Sequence, residues 1–545
     1  MKRILIIIVF WGCIIAGYSQ RVNDYFNIIT NEWTLSSIPG KQANLFPESY
    51  LKNDLAIGYN RAKISWYFID PLFLRNIATT PIHIKYDTLQ QKNHFVREIF
   101  KNEIYPESQI PAGTPSNQPV LNIAFYPNEK GAYNYDVDST LFSDGIDAIG
   151  KLKTPESRWA GIMRRIDRSM FSDYSLNYLG FWLMDPFVYN SNVSGGNVYI
   201  NIGNVSEDYM KDGKMSFEHG LPTTSLVSNV DTTIWGRTST LNKPTLAFDN
   251  IYLARQYQDI GLDGLNDSDE RLFFEKYINS IKNKFGISSL ALQNSYNDPS
   301  SDNYHYYRGT DYDNQKLSIL SRYKKYRNSD GNSPVSDMSP ETYPTSGSAW
   351  PDSEDINRNN ILDTEENYFQ YKVVLKPGSL VIGQNFITDK KTVNPSNGDG
   401  TPVTWYKFLI PLNSAQKEII GDITNIDESG SVRLILKDFS DSIVLRFFEL
   451  AFVTNDLSLN IKSPQNTSIS IYPNPSKGIL TIQNNSDIIN SIQIYDLLGH
   501  KITSAIPLQN PINPTIDLSF LENGMYFIVI ETDRKPYSTK VIIQK

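Results

Sequence analysis

Thiol chemistry is all but missing from this chain. Its 545 residues hold one cysteine, Cys13, inside the leader-like stretch described below, so disulfide frameworks, thiolate nucleophiles and cysteine metal sites are excluded from the rest. Histidine is nearly as scarce. His83, His94, His219, His305 and His500 are scattered, without HExxH or comparable ligand spacing, and neither a serine nucleophile elbow nor a phosphate-cradling loop occurs. There is no excess of positive charge: 51 Lys and Arg face 59 Asp and Glu, for a formal net charge of −8. The chain therefore lacks the basic stripe of a nucleic-acid-binding protein and the like-charge arm that docks on an anionic membrane. After the leader no stretch approaches the ~18–20 apolar residues of a membrane helix, which excludes an inner-membrane span. That criterion does not decide on a closed membrane barrel, whose strands alternate only weakly.

Apolar and aromatic residues are plentiful, at 40% and 12% of the chain, enough for a large core or several domains. Lys2-Arg3, the apolar Ile4–Ala16 and Gly-Tyr-Ser-Gln20 have the charged start, short hydrophobic centre and small-residue exit of a secretory signal peptide, residues 1–20. In Trp159–Phe187 the run Leu179-Gly-Phe-Trp-Leu-Met-Asp-Pro-Phe187 is almost unbroken. It reads as a strand buried on both faces or as a buried helix segment, and its closing Pro186 and its Phe and Trp content favour the strand. Val198–Ile202, the alternating Thr404–Leu412, Val432–Asp438 and Ile443–Val453 supply further strands. The expected fold is mainly β: a jelly-roll-like β-sandwich with long α and loop insertions, at about Gln90–Pro155 and Lys211–Ala349, followed by a small C-terminal antiparallel sandwich.

Two stretches carry candidate chemistry. Asp355-Ile-Asn-Arg-Asn-Asn-Ile-Leu-Asp-Thr-Glu-Glu366 places Asp355, Asn357, Asn359, Asp363 and Glu366 at positions one, three, five, nine and twelve, with Ile361 offering a backbone carbonyl. This is the spacing that wraps oxygens around Ca²⁺; Asn360, at the position usually held by glycine, tolerates the positive φ of the turn. The plain alternative is a polar turn before the strand Asn367–Leu375. Asp259–Glu270 repeats the pattern with Asp259, Asp263, Asp267 and Glu270 as ligands and Leu265 as the carbonyl, although Gly261 brings no side chain to position three; an Asp/Gly-rich turn with an N-cap is the alternative. A structural Ca²⁺ is the only cofactor expected. Phe273, Tyr277, Ile281 and Phe285 follow as a helical stripe that Gly286 stops, read as core packing. Tyr304–Tyr307 and Tyr323–Arg327 are aromatic and basic enough to suggest a sugar or polymer surface, but in a chain with 33 tyrosines the structural reading is favoured.

Ile64-Ser-Trp-Tyr-Phe-Ile-Asp-Pro-Leu-Phe73, His94–Glu98, Ala124–Asn134, Asp298-Pro-Ser-Ser-Asp-Asn-Tyr-His-Tyr-Tyr-Arg-Gly309, Gly331–Pro334, Pro351–Tyr371 and Val444–Phe447 together resemble the SprA family, the giant outer-membrane translocon proteins of type IX secretion and gliding motility in Bacteroidetes. The resemblance spans roughly residues 21–455, a fraction of the family's length, and departs from it at Asn23-Asp-Tyr-Phe26, where the family has an acidic start. A polar linker, 456–467, follows. Ile471-Tyr-Pro-Asn-Pro-Ser-Lys-Gly478, Ile492–Lys501 and Leu521-Glu-Asn-Gly-Met-Tyr-Phe-Ile-Val-Ile530, within 468–545, resemble the A-type C-terminal sorting domain of type IX substrates. That resemblance implies passage through the translocon as cargo, to the cell surface or beyond. Three functions compete: a non-catalytic surface protein that binds protein or glycan, a component or accessory cap of the translocon, and a secreted glycan-active enzyme. The first is expected, because a chain carrying an export signal for the pore is more naturally cargo than pore.

Overall fold

The structure, a computed structural model, describes residues 25–545 except 30–31, 109–115, 175, 219–223, 225, 241–256, 258–260, 328–351, 455–468, 475, 485–488, 496–500, 504–513, 523 and 533–536. Residues 1–20, read from the sequence as a signal peptide and holding Cys13, the linker 456–467, His219, His500, Gly331–Pro334 and Asp259 lie outside the described residues. The chain divides into two compact units, the larger reaching to Leu457 and the smaller running from Ser458 to Lys545.

Eight strands frame the larger unit: β1 (Leu121–Lys130), β2 (Trp159–Arg165), β3 (Tyr178–Met184), β4 (Gly196–Asn204), β5 (Asn367–Leu375), β6 (Val403–Pro411), β7 (Ser431–Lys437) and β8 (Ile443–Val453). One sheet has the order β6-β3-β8-β1, extended at its two ends by Ile387–Val393 and Ala62–Tyr67; the other has the order β5-β4-β7-β2, extended by Glu418–Ile420 and Thr34–Leu35. Neighbours are antiparallel throughout. Apart from the β4–β5 link, each successive framework strand crosses to the opposite sheet, and this order is that of a jelly roll.

The residue pattern explains why the sheets pack. On β3, Leu179, Phe181 and Leu183 point into the core between the sheets, where Phe181 stacks on Phe408 at 4.9 Å and meets Phe447 edge-on at 5.3 Å. Trp182 and Met184 alternate to the opposite face, yet they are buried too, among Ile99, Ile104, Val120, Trp405 and Phe448. Phe95, Ile99, Ile104, Tyr105 and Val120 cover the outside of the sheet. At the other end Tyr67 and Ala124 are covered in the same way by Ile319, Tyr323 and Tyr326. The unbroken apolar runs therefore follow from burial on two faces.

Two details differ from the sequence expectation. The segment read as one insertion, Gln90–Pro155, supplies the framework strand β1. Pro127 hides it, but that proline lies beyond the last β8 pairing, Phe125 with Ile443, at a bulge in the pairing with Ala62–Tyr67, where a missing N–H is tolerated. The helical stripe departs at its first residue only, since Tyr277 and Ile281 are buried as expected and Phe285 packs against the core. Helix α1 (Asp267–Phe273) breaks at Phe274, α2 (Glu275–Phe285) follows, and it is Phe274, Tyr277, Ile278 and Ile281 that are buried while Phe273 is exposed. Gly286, with φ +87, ends α2 as expected. Helix α3 (Leu290–Asn297) begins at Ser289, whose hydroxyl accepts from Leu292 N.

β8 carries a bulge between Phe448 and Ala451. There Glu449 takes φ +55, and its carboxylate accepts the Tyr105 hydroxyl at 2.5 Å. Burial pushes this carboxyl up to about 7 from 4.5. Between those pH values the native chain binds more protons than the unfolded one, so the stabilisation present below the lower value is lost as pH rises through the higher. Glu449→Gln is expected to raise the Tm at pH 8 and to change it little at pH 5; equal shifts at both in calorimetry would refute the assignment.

The smaller unit pairs two antiparallel sheets. One contains Ile469–Tyr472, Ile479–Asn484 and Thr515–Asp517; the other contains Lys501–Thr503, Ile489–Tyr495, Gly524–Thr532 and Tyr537–Ile543. Leu480, Ile482, Ile492, Ile494, Ile516, Ile528, Ile530 and Val541 form its core. Among the described residues no helix is long and apolar enough to cross a membrane.

Candidate metal centre

The Asp355–Glu366 loop leads into β5. Asn360, with φ +62, takes the left-handed conformation expected at position six, and so does Arg358 at φ +57. Asp355 is buried, and its two oxygens accept the backbone N–H groups of Asn359 (3.0 Å) and Asn360 (2.8 Å). The Asn359 side chain accepts from Ile361 N at 2.7 Å, and Asp363 accepts from the Asn357 amide at 2.7 Å. Glu207, whose carboxyl burial pushes up to about 7, accepts the N–H groups of Asn357 and Asp363, both at 3.2 Å. Asp355, Asn357, Asn359, Ile361 and Asp363 thus share one self-bonded loop. Glu366 stands outside it: its carboxylate takes two nitrogens of the buried Arg433 on β7, each at 3.0 Å.

Carboxylates converge at the second stretch instead. Asp263, Glu270 and Asp302 are only 2%, 1% and 3% exposed, and each offers an oxygen within 4.8 Å of the others. Asp267, Glu270 and Asp298 form a second triad by the same measure, with Glu270 common to both. Asp267 and Glu270 come from α1, Asp263 from the turn before it, and Asp298 and Asp302 from the turn that ends α3. Leu265 is a core residue whose N–H donates to Asp263 Oδ1 at 3.0 Å. Gly261 closes over the group, because a Cβ there would come within 2.2 Å of Asp302 Oδ2 and 2.4 Å of the Tyr133 hydroxyl.

Ser300 sits at the centre. Its hydroxyl donates to Asp263 Oδ2 at 2.7 Å and its N–H to Glu270 Oε2 at 3.0 Å. Asp298 Oδ1 accepts from Asp302 N at 3.1 Å, and Asp267 Oδ1 from the Asn303 amide at 3.0 Å. Asp302 Oδ2 is buried without a hydrogen bond among the described residues, although the Tyr133 hydroxyl and the Arg327 charge lie near enough to favour its ionised form. Burial pushes Asp263 up to about 7. Burial first, then repulsion from the neighbouring acids, holds Glu270 and Asp302 well above the usual carboxylate range. Such a group either keeps protons or takes a cation, and oxygen donors alone suit a hard one. Sequence spacing finds Asp263, Asp267 and Glu270 but not Asp298 and Asp302, which lie across two helices. The one local signal is the pair of acids four apart just after a helix, Asp298-Pro-Ser-Ser-Asp302.

The described histidines serve structure. His94 is buried, with Nε2 2.7 Å from Thr401 O and Nδ1 accepting from Arg97 Nε at 2.9 Å; Arg97 in turn forms an ion pair with the buried Glu103 at 2.6 Å. His305 lies on the Tyr312 ring, 3.7 Å between centroids, and meets Asp311 at 2.8 Å. His83 reaches Leu317 O at 3.1 Å. The tyrosine-rich stretches pack together: Tyr323 stacks on Tyr67 at 4.4 Å and on Tyr307 at 5.0 Å.

Residues 276–479 match the SprA_N family, described as a motility related/secretion protein. Residues 470–544 match the secretion system C-terminal sorting domain. No curated protein matches the chain. The first match takes in Asp298, Asp302 and strands β5 to β8, whereas Asp263, Asp267 and Glu270 precede it. A type IX sorting domain directs export across the outer membrane to the cell surface or the extracellular space. The chain therefore joins a region similar to SprA_N, residues 276–479, to a type IX C-terminal sorting domain, and through that domain it is a cargo of the type IX secretion system.

Proposed function

We propose that this protein is a non-catalytic surface module that binds a protein or a glycan outside the cell. The observation that carries the reading is the joining, in one chain, of a jelly roll to a sorting domain. Jelly rolls of this kind also form many carbohydrate-binding modules, a likeness of architecture that names no ligand. The placement of the described histidines in buried or stacked structural contacts supports a module without a hydrolytic centre. The match of residues 276–479 to SprA_N favours a second reading, an accessory of the translocon.

Truncation after Val453 removes the sorting domain and is expected to leave the larger unit folded but periplasmic, so that protease added to intact cells no longer reaches it. Surface delivery of the truncated form would overturn the cargo reading. The purified full chain is expected to stay soluble without detergent and to bind whole cells or a glycan array saturably, with no release of reducing sugar. Release of sugar would overturn the non-catalytic assignment, and stoichiometric co-purification with a detergent-extracted barrel would replace the proposal with the second reading.

A further inference from the structure

We propose that the buried triad Asp263, Glu270 and Asp302 holds a calcium ion that fastens the helical insertion to the jelly roll. Oxygens bound to one Ca²⁺ at about 2.3–2.6 Å stand no more than about 5 Å apart, and the three residues of this triad offer oxygens within 4.8 Å of one another. Around Mg²⁺, at about 2.0–2.1 Å, the corresponding span is only about 4.2 Å and the shell is less forgiving of carboxylate crowding. The second, independent observation is Asp302 Oδ2. It is enclosed by Gly261 and Tyr133, lies in a residue 3% exposed and makes no hydrogen bond among the described residues. A buried carboxylate oxygen left in that state costs free energy that a cation would remove. Of the guanidinium groups near the cluster, Arg237 forms its ion pair with Asp269 at 2.7 Å, and Arg327, whose charge favours ionised Asp302, donates to Ser301 O at 3.3 Å.

The position of the cluster gives the ion its role. The turn that carries Asp298 and Asp302 also gives Ser300 O, which accepts from Tyr133 N at 2.6 Å, and the Ser300 hydroxyl, 2.9 Å from that of Tyr135. Leu262 N donates to the Tyr133 hydroxyl at 2.7 Å. Tyr133 and Tyr135 belong to the loop that follows β1, so one ion ties the start of α1, the end of α3 and a loop of the sandwich together. Calcium sites of extracellular modules have dissociation constants of about 10⁻⁴–10⁻³ M, which places filling outside the cell. The proposal concerns the folded chain and stands whichever ligand, if any, the surface binds.

The test uses the full chain. After chelation with EDTA, terbium is expected to give luminescence sensitised by Tyr133 and Tyr135, calcium to displace it, and millimolar calcium to raise the Tm by a few degrees. Glu270→Gln with Asp302→Asn keeps the shapes and removes two charges. That variant is expected to lose both the luminescence and the calcium-induced shift, while its Tm in EDTA equals or exceeds that of the parent because repulsion has been relieved. Isothermal titration of the parent with calcium chloride decides the matter if the variant does not fold. No heat at millimolar calcium overturns the proposal, as does a shift that survives in the variant or disappears instead in Asp355→Ala.

Discussion

Glu366→Ala is expected to destabilise the larger unit by about 3–5 kcal/mol, because it strands a buried guanidinium without its counter-charge. Arg433 is fully buried. Burial alone would lower its pKa, and the Glu366 carboxylate with the Tyr368 ring outweighs that effect and holds it above the ordinary value. Both groups have further partners: Arg433 Nε donates to Asn201 Oδ1 at 2.9 Å, and Glu366 Oε1 accepts from Ser206 N at 3.2 Å. The pair spans β5 and β7, which are not neighbours but flank β4, so its loss opens the sheet at its middle. Replacing both partners by apolar residues of similar size, Glu366→Leu with Arg433→Met, is expected to recover most of the stability, since two charges no longer need desolvation. The loss in the single variant should be the same in EDTA and in millimolar calcium. A loss seen only with calcium present would return Glu366 to the ion-binding loop.

The two acidic stretches show what sequence spacing can and cannot carry. Position six of the 355–366 loop was legible, because asparagine adopts the positive φ that Asn360 shows. Position twelve was not, because Glu366 is claimed by Arg433, 67 residues further on, and a pairing between strands leaves no trace in a local pattern. In the second stretch the acids Asp263, Asp267 and Glu270 were legible, yet the group they form is completed by Asp298 and Asp302 after two more helices. The jelly roll itself could be read because its strands are long and apolar. Strand β1 was obscured by Pro127 and the polar residues after it, and only the first residue of the helical stripe was misplaced, Phe274 taking the buried place of Phe273 because the helix breaks there. The sorting domain was the clearest reading of all, since its turns and alternating strands are short-range features.

Trp182→Ala is expected to cost about 3–5 kcal/mol, close to the loss expected for Phe181→Ala on the opposite face of the same strand. In a sandwich strand with one wet face, a residue pointing away from the core would change stability by no more than about 0.5 kcal/mol on truncation. Here the outward face of β3 is dry. Trp182 is 1% exposed, meets Tyr105 edge-on with centroids 6.3 Å apart, and donates its indole N–H to the Tyr105 hydroxyl at 3.0 Å. Tyr105 lies just after the short helix Lys101–Ile104 and donates a hydrogen bond from its hydroxyl to Glu449 on β8, so the truncation would both open a cavity and leave that hydroxyl with one partner fewer. Chemical denaturation of the two alanine variants separates the cases. Equal and large losses mean that the residues around 95–105 are part of the folded core, and a Trp182→Ala loss below about 1 kcal/mol would mean that they stand away from the sheet in solution.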